Sequence, residues 1–236
     1  MHSNQVALVT GAGTGLGLEI ARQLGARGIT VVLGTREAAE AQAAAETLKG
    51  EGIEAHAIAL DVTRAEQINA LLPFFTDTFG RLDILVNNAG IMPEGRCITH
   101  ETFREGYETN VFGPYFIIET LLPLLQAAPA GRIVNQTSEL GSLATAAAAS
   151  LPVEALVPIY RSSKAALNML TILHAQKLKG TAVKVNSCHP GSARTAMNPG
   201  GDLTAAQGAQ TAVRLATLPE DGPTGGFFHG DNALPR

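Results

Sequence analysis

The sequence predicts an α/β protein: a doubly wound parallel sheet of about seven strands with helices on both faces. Three observations carry that reading. Short apolar runs alternate with longer helical patterns along the chain, the pattern of a parallel sheet covered on both sides. No internal repeat and no Pro/Gly/Ser-rich linker divides it, so residues 1–236 are expected to form a single domain, long enough to bury a substantial core. Hydrophobic residues make up 45% of the chain, ordinary for a globular protein and too many for a disordered one.

The elements follow in order. Strands are expected at Val6–Thr10, Thr30–Leu33, Ala55–Leu60, Ile84–Asn87, Arg132–Thr137, Lys184–Cys188 and, briefly, near Phe227–Phe228. Helices are expected at Leu16–Arg27, Glu37–Glu51, Ala65–Thr78, Glu101–Gln126, Tyr160–Lys179 and Ala205–Leu218. The Ala-rich run from Glu37 to Ala45 has high helix propensity, and Gly50 and Gly52 bracket its end. In such sheets ligands bind outside the carboxyl ends of the strands, so the loops after Thr10, Leu33, Leu60, Asn87, Thr137 and Cys188 hold the informative residues.

Several function classes are set aside by composition. A formal charge of −4 argues against a nucleic-acid binder, which carries a basic excess or stripe. Cys97 and Cys188 form neither a disulfide framework nor a zinc spacing, the six histidines are scattered, and no metal site is expected. Strand-like residues begin at Gln5 and leave no room for a signal peptide. The uncharged stretch from Leu140 to Val153 is mostly Ala, Ser and Thr and falls short of the ~20 apolar residues a spanning helix needs. A cytoplasmic protein with no membrane contact is the expectation.

The first strand runs into Thr10-Gly11-Ala12-Gly13-Thr14-Gly15-Leu16-Gly17 and then a helix. Glycines here permit a tight turn and let backbone N–H groups approach a pyrophosphate at the positive helix N-terminus. Placed between a strand and a helix at the start of a βαβ pattern, the string marks a Rossmann-type dinucleotide site. A dinucleotide with a free ribose 2′-OH calls for an acidic residue about 20 residues further on. Thr35 falls there instead, followed by Arg36, whose planar fork of donors suits a 2′-phosphate. NADP(H) is therefore favoured over NAD(H). A solvated arginine opening the next helix, partly neutralised by Glu37, is the plainer alternative.

The spacing Gly11, Gly15, Gly17 resembles the TGxxxGxG pattern of the short-chain dehydrogenase/reductase family, and the resemblance continues along the chain. Asp61, followed by Val62, resembles the family's adenine-contacting position. Asn87-Asn88-Ala89-Gly90 matches its NNAG motif. Pro190-Gly191 resembles the PG motif beside the nicotinamide, with Thr195 at the position that bonds the carboxamide or phosphates. Tyr160-Arg161-Ser162-Ser163-Lys164 matches the family's YxxxK, and Ser138, in Asn135-Gln136-Thr137-Ser138-Glu139-Leu140-Gly141, its catalytic serine, with Thr137 a competing hydroxyl. Asn110 resembles the fourth catalytic member, which holds a water between the lysine and solvent.

Tyr160 and Lys164 are four residues apart and share one helix face. A tyrosine of reference pKa ~10 is a poor base at neutral pH; lowering it by ~3 units takes roughly 4 kcal/mol. A cation ~4 Å away supplies about that at an effective dielectric near 20. What the resemblance implies is hydride transfer between nicotinamide and a carbonyl or alcohol: Ser138 and Tyr160 hold the oxygen, Tyr160 carries the proton, Lys164 fixes the ribose and Asn110 holds the water chain. A non-catalytic NADP sensor on this fold would be expected to lose Ser138, Tyr160 or Lys164, and a halohydrin dehalogenase would carry Arg in place of Lys164. A 3-oxoacyl-thioester reductase is the nearest rival. His189 has no acid partner in the sequence and reads as a loop histidine near the cofactor.

Ser138 and Tyr160 lie further apart than in most short-form members. The extra residues, around Ala144 to Pro158, look like an insertion of the carbonyl-reductase-like branch, forming either a pocket wall or an edge that alters subunit contacts. Ile91, Met92, Leu140, the insertion and a Met197–Leu203 lid suggest an apolar ketone or aldehyde. Family members pair through helices equivalent to Glu101–Gln126 and Tyr160–Lys179, so a homo-dimer or tetramer is expected, with a monomer open because of the insertion.

Overall fold

The computed structural model describes residues 5–95, 97–150 and 152–236. Its strands are β1 (Val6–Thr10), β2 (Thr30–Thr35), β3 (Ala55–Ala59), β4 (Ile84–Asn87), β5 (Arg132–Gln136), β6 (Lys184–Cys188), β7 (Phe227–His229) and β8 (Asn232–Ala233). They form one sheet in the order β3-β2-β1-β4-β5-β6-β7-β8. The first seven run parallel and the added β8 pairs antiparallel with β7.

Every residue of β1 is buried, which is why it reads as a continuous apolar run rather than an alternating one. Its side chains still alternate: Ala7 and Val9 join one core, Val6 and Leu8 the other. Helices α1 (Gly15–Gly25), α2 (Ala38–Gly50) and α9 (Ala205–Ala216) cover the first face through Ile20, Leu24, Leu48 and Val213. The second face is covered by α3 (Ala65–Asn69), α4 (Leu71–Phe79), α6 (Gly113–Ala127) and α8 (Pro158–Lys177), through Phe75, Ile117, Leu121 and Ala175.

Two helices expected to be continuous are interrupted, and proline explains both. The Ala65–Thr78 pattern divides into α3 and α4. Pro73 has no N–H for the carbonyl of Asn69 and its ring crowds that carbonyl, so the break falls there. The Glu101–Gln126 pattern divides into α5 (His100–Tyr107), a π-helical turn (Glu108–Phe112) and α6. Pro114 cannot return an N–H to the carbonyl of Asn110, and the ladder widens at that point. Gly113 completes the turn, because a Cβ there would lie 2.6 Å from the Val62 carbonyl oxygen.

The insertion is partly folded rather than a loop. It holds α7 (Leu143–Ala148), capped by the Ser142 hydroxyl, and a 3-10 turn (Val153–Ala155); Leu151 lies outside the described residues. The Ala144 N–H donates to the Arg236 carbonyl, so the end of the chain packs against the start of α7.

Arg132, 2% exposed at the start of β5, ties the far end of the sheet together. Its guanidinium donates to the carbonyls of Leu218, Pro219, Gly131 and Ala182. Arg132→Met leaves these carbonyls unpaired and is expected to destabilise the fold by about 3 kcal/mol. The urea unfolding midpoint measures it; a midpoint equal to wild type would mean that solvent satisfies the carbonyls.

Candidate active site

A cleft of about 560 Å³ opens at the carboxyl ends of the strands, lined at one end by the glycine turn and at the other by Tyr160 and Lys164. Gly11 and Gly15 have φ of +61° and +56°. A Cβ at Gly17 would stand 2.2 Å from the Gly11 carbonyl oxygen, so no larger residue lets α1 start this close to β1. Thr14, the N-cap of α1, makes no side-chain capping bond, and the first turn holds no acidic residue. The leading N–H groups of α1 are therefore left to an anion in the cleft. Asn88 braces the turn: its amide donates to the carbonyls of Thr10 (2.9 Å) and Gly11 (3.1 Å), while the Thr10 hydroxyl accepts the N–H groups of Asn88 and Ala89.

The Thr35 hydroxyl donates to the Glu37 carbonyl, and exposed Arg36 lies at the rim. Asp61 turns the chain after β3, its Oδ1 accepting from the N–H and hydroxyl of Thr63. On the opposite wall Pro190 leads into a loop that places Thr195 across from the glycine turn; a Cβ at Gly15 would lie 3.9 Å from Thr195 Cγ2. The lid after it is pinned at its base by the bridge between Ala193 and Leu203.

At the other end, buried polar side chains hold α8 against the sheet. Asn87 donates to Asn135 and Asn135 to Thr171, linking β4, β5 and α8 at 2.9 Å each. Gly141 has no room for a Cβ, which would fall 2.7 Å from the Lys164 carbonyl carbon, so the chain after β5 lies directly on α8. That approach brings the Ser138 hydroxyl near the Tyr160 phenol, where it favours the ionised form. Ser138 also caps the turn behind it, accepting the Leu140 N–H at 3.2 Å. Thr137 is turned away, donating to the Cys188 carbonyl.

Asn110 does not bond its own backbone. Its Oδ1 accepts the Ile91 N–H at 2.9 Å, and its Nδ2 donates to the Ile91 carbonyl and the Ser163 hydroxyl. A Cβ at Gly90 would be 3.3 Å from both Asn110 Oδ1 and Lys164 Nζ, so the glycine lets the two groups gather around one point. Lys164 is held from β5. Its Nζ donates to the Gln136 carbonyl at 2.8 Å and lies 5.5 Å from the centroid of the Tyr160 ring. Burial raises the Tyr160 phenol above its ordinary value, opposed by the Ser138 hydroxyl. Burial likewise pushes the Lys164 ammonium down to about 8. Without a bound dinucleotide the phenol therefore holds its proton more firmly than a free tyrosine.

The cleft gathers Gly11, Gly13, Thr14, Gly15, Leu16, Gly17, Arg36, Asp61, Val62, Asn88, Ala89, Gly90, Tyr160, Lys164, Pro190 and Thr195; Ser138, Asn110 and Gly191 do not line it. Sequence reasoning missed Glu40, Thr63, Thr109 and Gln136. Glu40 was findable, one turn beyond Arg36 on α2, whereas Gln136 precedes Thr137 on a fully buried strand and gave no signal. The absence of an acid partner for His189 also needs correcting: its Nε2 lies 3.7 Å from Glu139 Oε2, a contact between two separate loops. Burial and neighbouring His229 push the imidazole down to about 4, so it is neutral at pH 7. Among the described residues no group of three or more His, Cys, Asp or Glu could hold a metal ion, and no helix is long and apolar enough to cross a membrane.

An open parallel sheet with an uncapped helix at a glycine turn and a Tyr–Lys pair in the same cleft defines a dinucleotide-dependent oxidoreductase. The family model described as short chain dehydrogenase matches residues 5–204, and the chain belongs to that family, in its carbonyl-reductase-like form. It is 37% identical to the short-chain dehydrogenase anuI of Penicillium roqueforti, covering 90% of this chain and 88% of that one. It is 34% identical to carbonyl reductase (NADPH) 1 of Bos taurus, covering 96% of each. Salutaridine reductase from Papaver somniferum superposes with a TM-score of 0.84 at 31% identity, covering 95% of this chain and 99% of that one.

Proposed function

We propose that this chain is an NADP-dependent oxidoreductase that interconverts apolar ketones or aldehydes and their alcohols, with Tyr160 carrying the proton. The observation behind this reading is that Tyr160 and Lys164 share a cleft with the uncapped start of α1, with Ser138 beside the phenol. The glycine turn and Asn88 would seat the dinucleotide and Arg36 its 2′-phosphate. Bound there, NADPH supplies a hydride to the carbonyl carbon and NADP⁺ takes one back in the reverse direction. Ser138 and Tyr160 orient the carbonyl oxygen, and Tyr160 donates its proton as charge develops on that oxygen. Lys164 lends positive charge beside the phenol, and Asn110 organises the return of the proton from solvent.

An apolar substrate is supported by the exposed side chains of Met92, Leu140, Leu143, Leu156 and Met197, all on segments that follow the carboxyl ends of strands. The intact Ser138, Tyr160 and Lys164 speak against a non-catalytic sensor. The test is NADPH oxidation, followed by absorbance against ketones, aldehydes and 3-oxoacyl thioesters, with NADH in parallel. Apolar ketones or aldehydes are expected to be turned over with NADPH. Turnover of thioesters alone would reassign the substrate, and none with any compound would favour the sensor. Arg36→Ala is expected to weaken NADPH binding about 10- to 100-fold, the worth of one or two charge-assisted bonds, and to leave NADH binding unchanged. An equal loss for both dinucleotides would remove Arg36 from the 2′-phosphate.

A further inference from the structure

The first turn of α8 is held from outside its own segment. Val157, its N-cap, has φ of +33° and makes no side-chain cap bond, and Pro158 opens the helix. The N–H of Tyr160 is one of the unpaired donors this leaves. It donates in a short contact to Oε1 of Glu94, in the 3-10 turn Pro93–Gly95 that follows the loop after β4. The other carboxylate oxygen of Glu94 is buried with no hydrogen-bond partner among the described residues. The turn and the helix are pressed together by α5: a Cβ at Gly106 would stand 2.4 Å from Ile159 Cγ2 and 3.6 Å from Pro93 Cγ.

We propose that Glu94 is the positioning residue of Tyr160, fixing the first turn of α8 from the β4 side and setting its carboxylate near the phenol. The inference rests on the reading of Tyr160 as the proton donor. A carboxylate on the N-terminal N–H groups of a helix is favourable both as a cap and against the helix dipole. The same charge opposes ionisation of a nearby phenol, and that effect of Glu94 on Tyr160 adds to burial.

The titratable groups on the elements packed around Tyr160 are Arg161, Lys164, His174 and Lys177 on α8, Glu139 after β5, Lys184 and Cys188 on β6, His100, Glu101, Arg104, Glu105 and Tyr107 on α5, and Glu108 on the π turn. Arg161 donates to the carbonyls of Ala155 and Leu140, and Glu139 faces His189. Lys164 acts in the opposite sense to Glu94, from above the ring. Glu94 thereby biases the site toward reduction, in which the phenol must begin protonated.

Glu94→Gln keeps an oxygen to accept the Tyr160 N–H and removes the charge. Reduction by protonated Tyr160 fails as pH rises through the phenol's titration, and oxidation by its phenolate appears there. In Glu94→Gln both limbs of the kcat/KM profiles are expected to move about 0.5–1 unit to lower pH, with Tm lowered by only a few degrees as the charge on the helix dipole is lost. Glu94→Asp, which keeps the charge, is expected to stay near the wild-type profile. Glu94→Ser removes the charge with a smaller side chain and is read in the same way if the Gln variant does not fold. Profiles unmoved in the charge-free variants, or moved equally in Glu94→Asp, would overturn the role of Glu94. Tyr160→Phe, run alongside, separates the two claims: retained turnover there overturns the proton donor itself.

Discussion

Tyr160→Phe is expected to lower kcat for carbonyl reduction by about 10³-fold or more while NADPH binding stays within about threefold of wild type. The substitution removes one oxygen and leaves the ring that packs beneath Lys164. The ring's place on α8 is set by the backbone bond to Glu94 and by the Asn87–Asn135–Thr171 chain, neither of which uses the phenol oxygen. Ser138 keeps its bond to the Leu140 N–H, so it holds its position after the Tyr160 hydroxyl is gone. What is lost is the proton donor and one of two hydroxyls on the carbonyl oxygen. NADPH fluorescence measures binding and absorbance decay measures turnover. Comparable turnover in the variant would mean that another group, Ser138 or a solvent chain through Asn110, delivers the proton.

Lys164→Met carries the second large effect, on activity and stability together. Turnover is expected to fall by about 10²- to 10⁴-fold, because the positive charge beside the phenol disappears. The stability effect depends on pH. Lys164 is 3% exposed and its ammonium titrates near 8 in the folded protein, against ~10.4 in an unfolded chain. Below pH 8 both states carry the charge, and burying it costs the fold about 3 kcal/mol. Between pH 8 and about 10.4 the unfolded state binds the extra proton, so the native state gains stability as pH rises. The stability of wild type relative to Lys164→Met should therefore improve by up to about 3 kcal/mol across that window. Urea unfolding of both proteins at pH 7 and pH 10.5 measures the difference; a constant gap would mean that the buried amine holds its proton throughout.

These two residues show how far the sequence reaches. Their spacing of four identified one helix face and one pair of groups, and the structure does place them together. The direction of the effect on Tyr160 was not legible, because it depends on how deeply the phenol is buried and on where Lys164 Nζ finds its acceptor. That acceptor is the Gln136 carbonyl, 28 residues earlier in the chain. A backbone carbonyl carries no mark of its partner in the sequence.

The strands and glycine turn were readable for local reasons. A strand buried on both faces must be apolar throughout, and a turn with positive φ that meets backbone at 2.2 Å must be glycine. The breaks in two helices were written locally as well, in Pro73 and Pro114, but amphipathic periodicity ran through both prolines and hid them. The consequence at Pro114 reaches the site, since the widened turn carries Asn110 to Ile91 and Ser163.

The amino-acid sequence by itself determined the sheet and the dinucleotide cradle, because each follows from a short-range pattern that a strand or turn imposes on neighbouring residues, while Ser138, Tyr160, Lys164 and Asn110 were singled out by their resemblance to the family's motifs. Tertiary structure alone decided the partners and charges of those groups. Glu94 reaches Tyr160 across 66 positions, and Glu139 comes to His189 from another loop. Such contacts depend on the packing of separate elements, and a proton's affinity for its site is set by every charge and every desolvated surface that packing brings near.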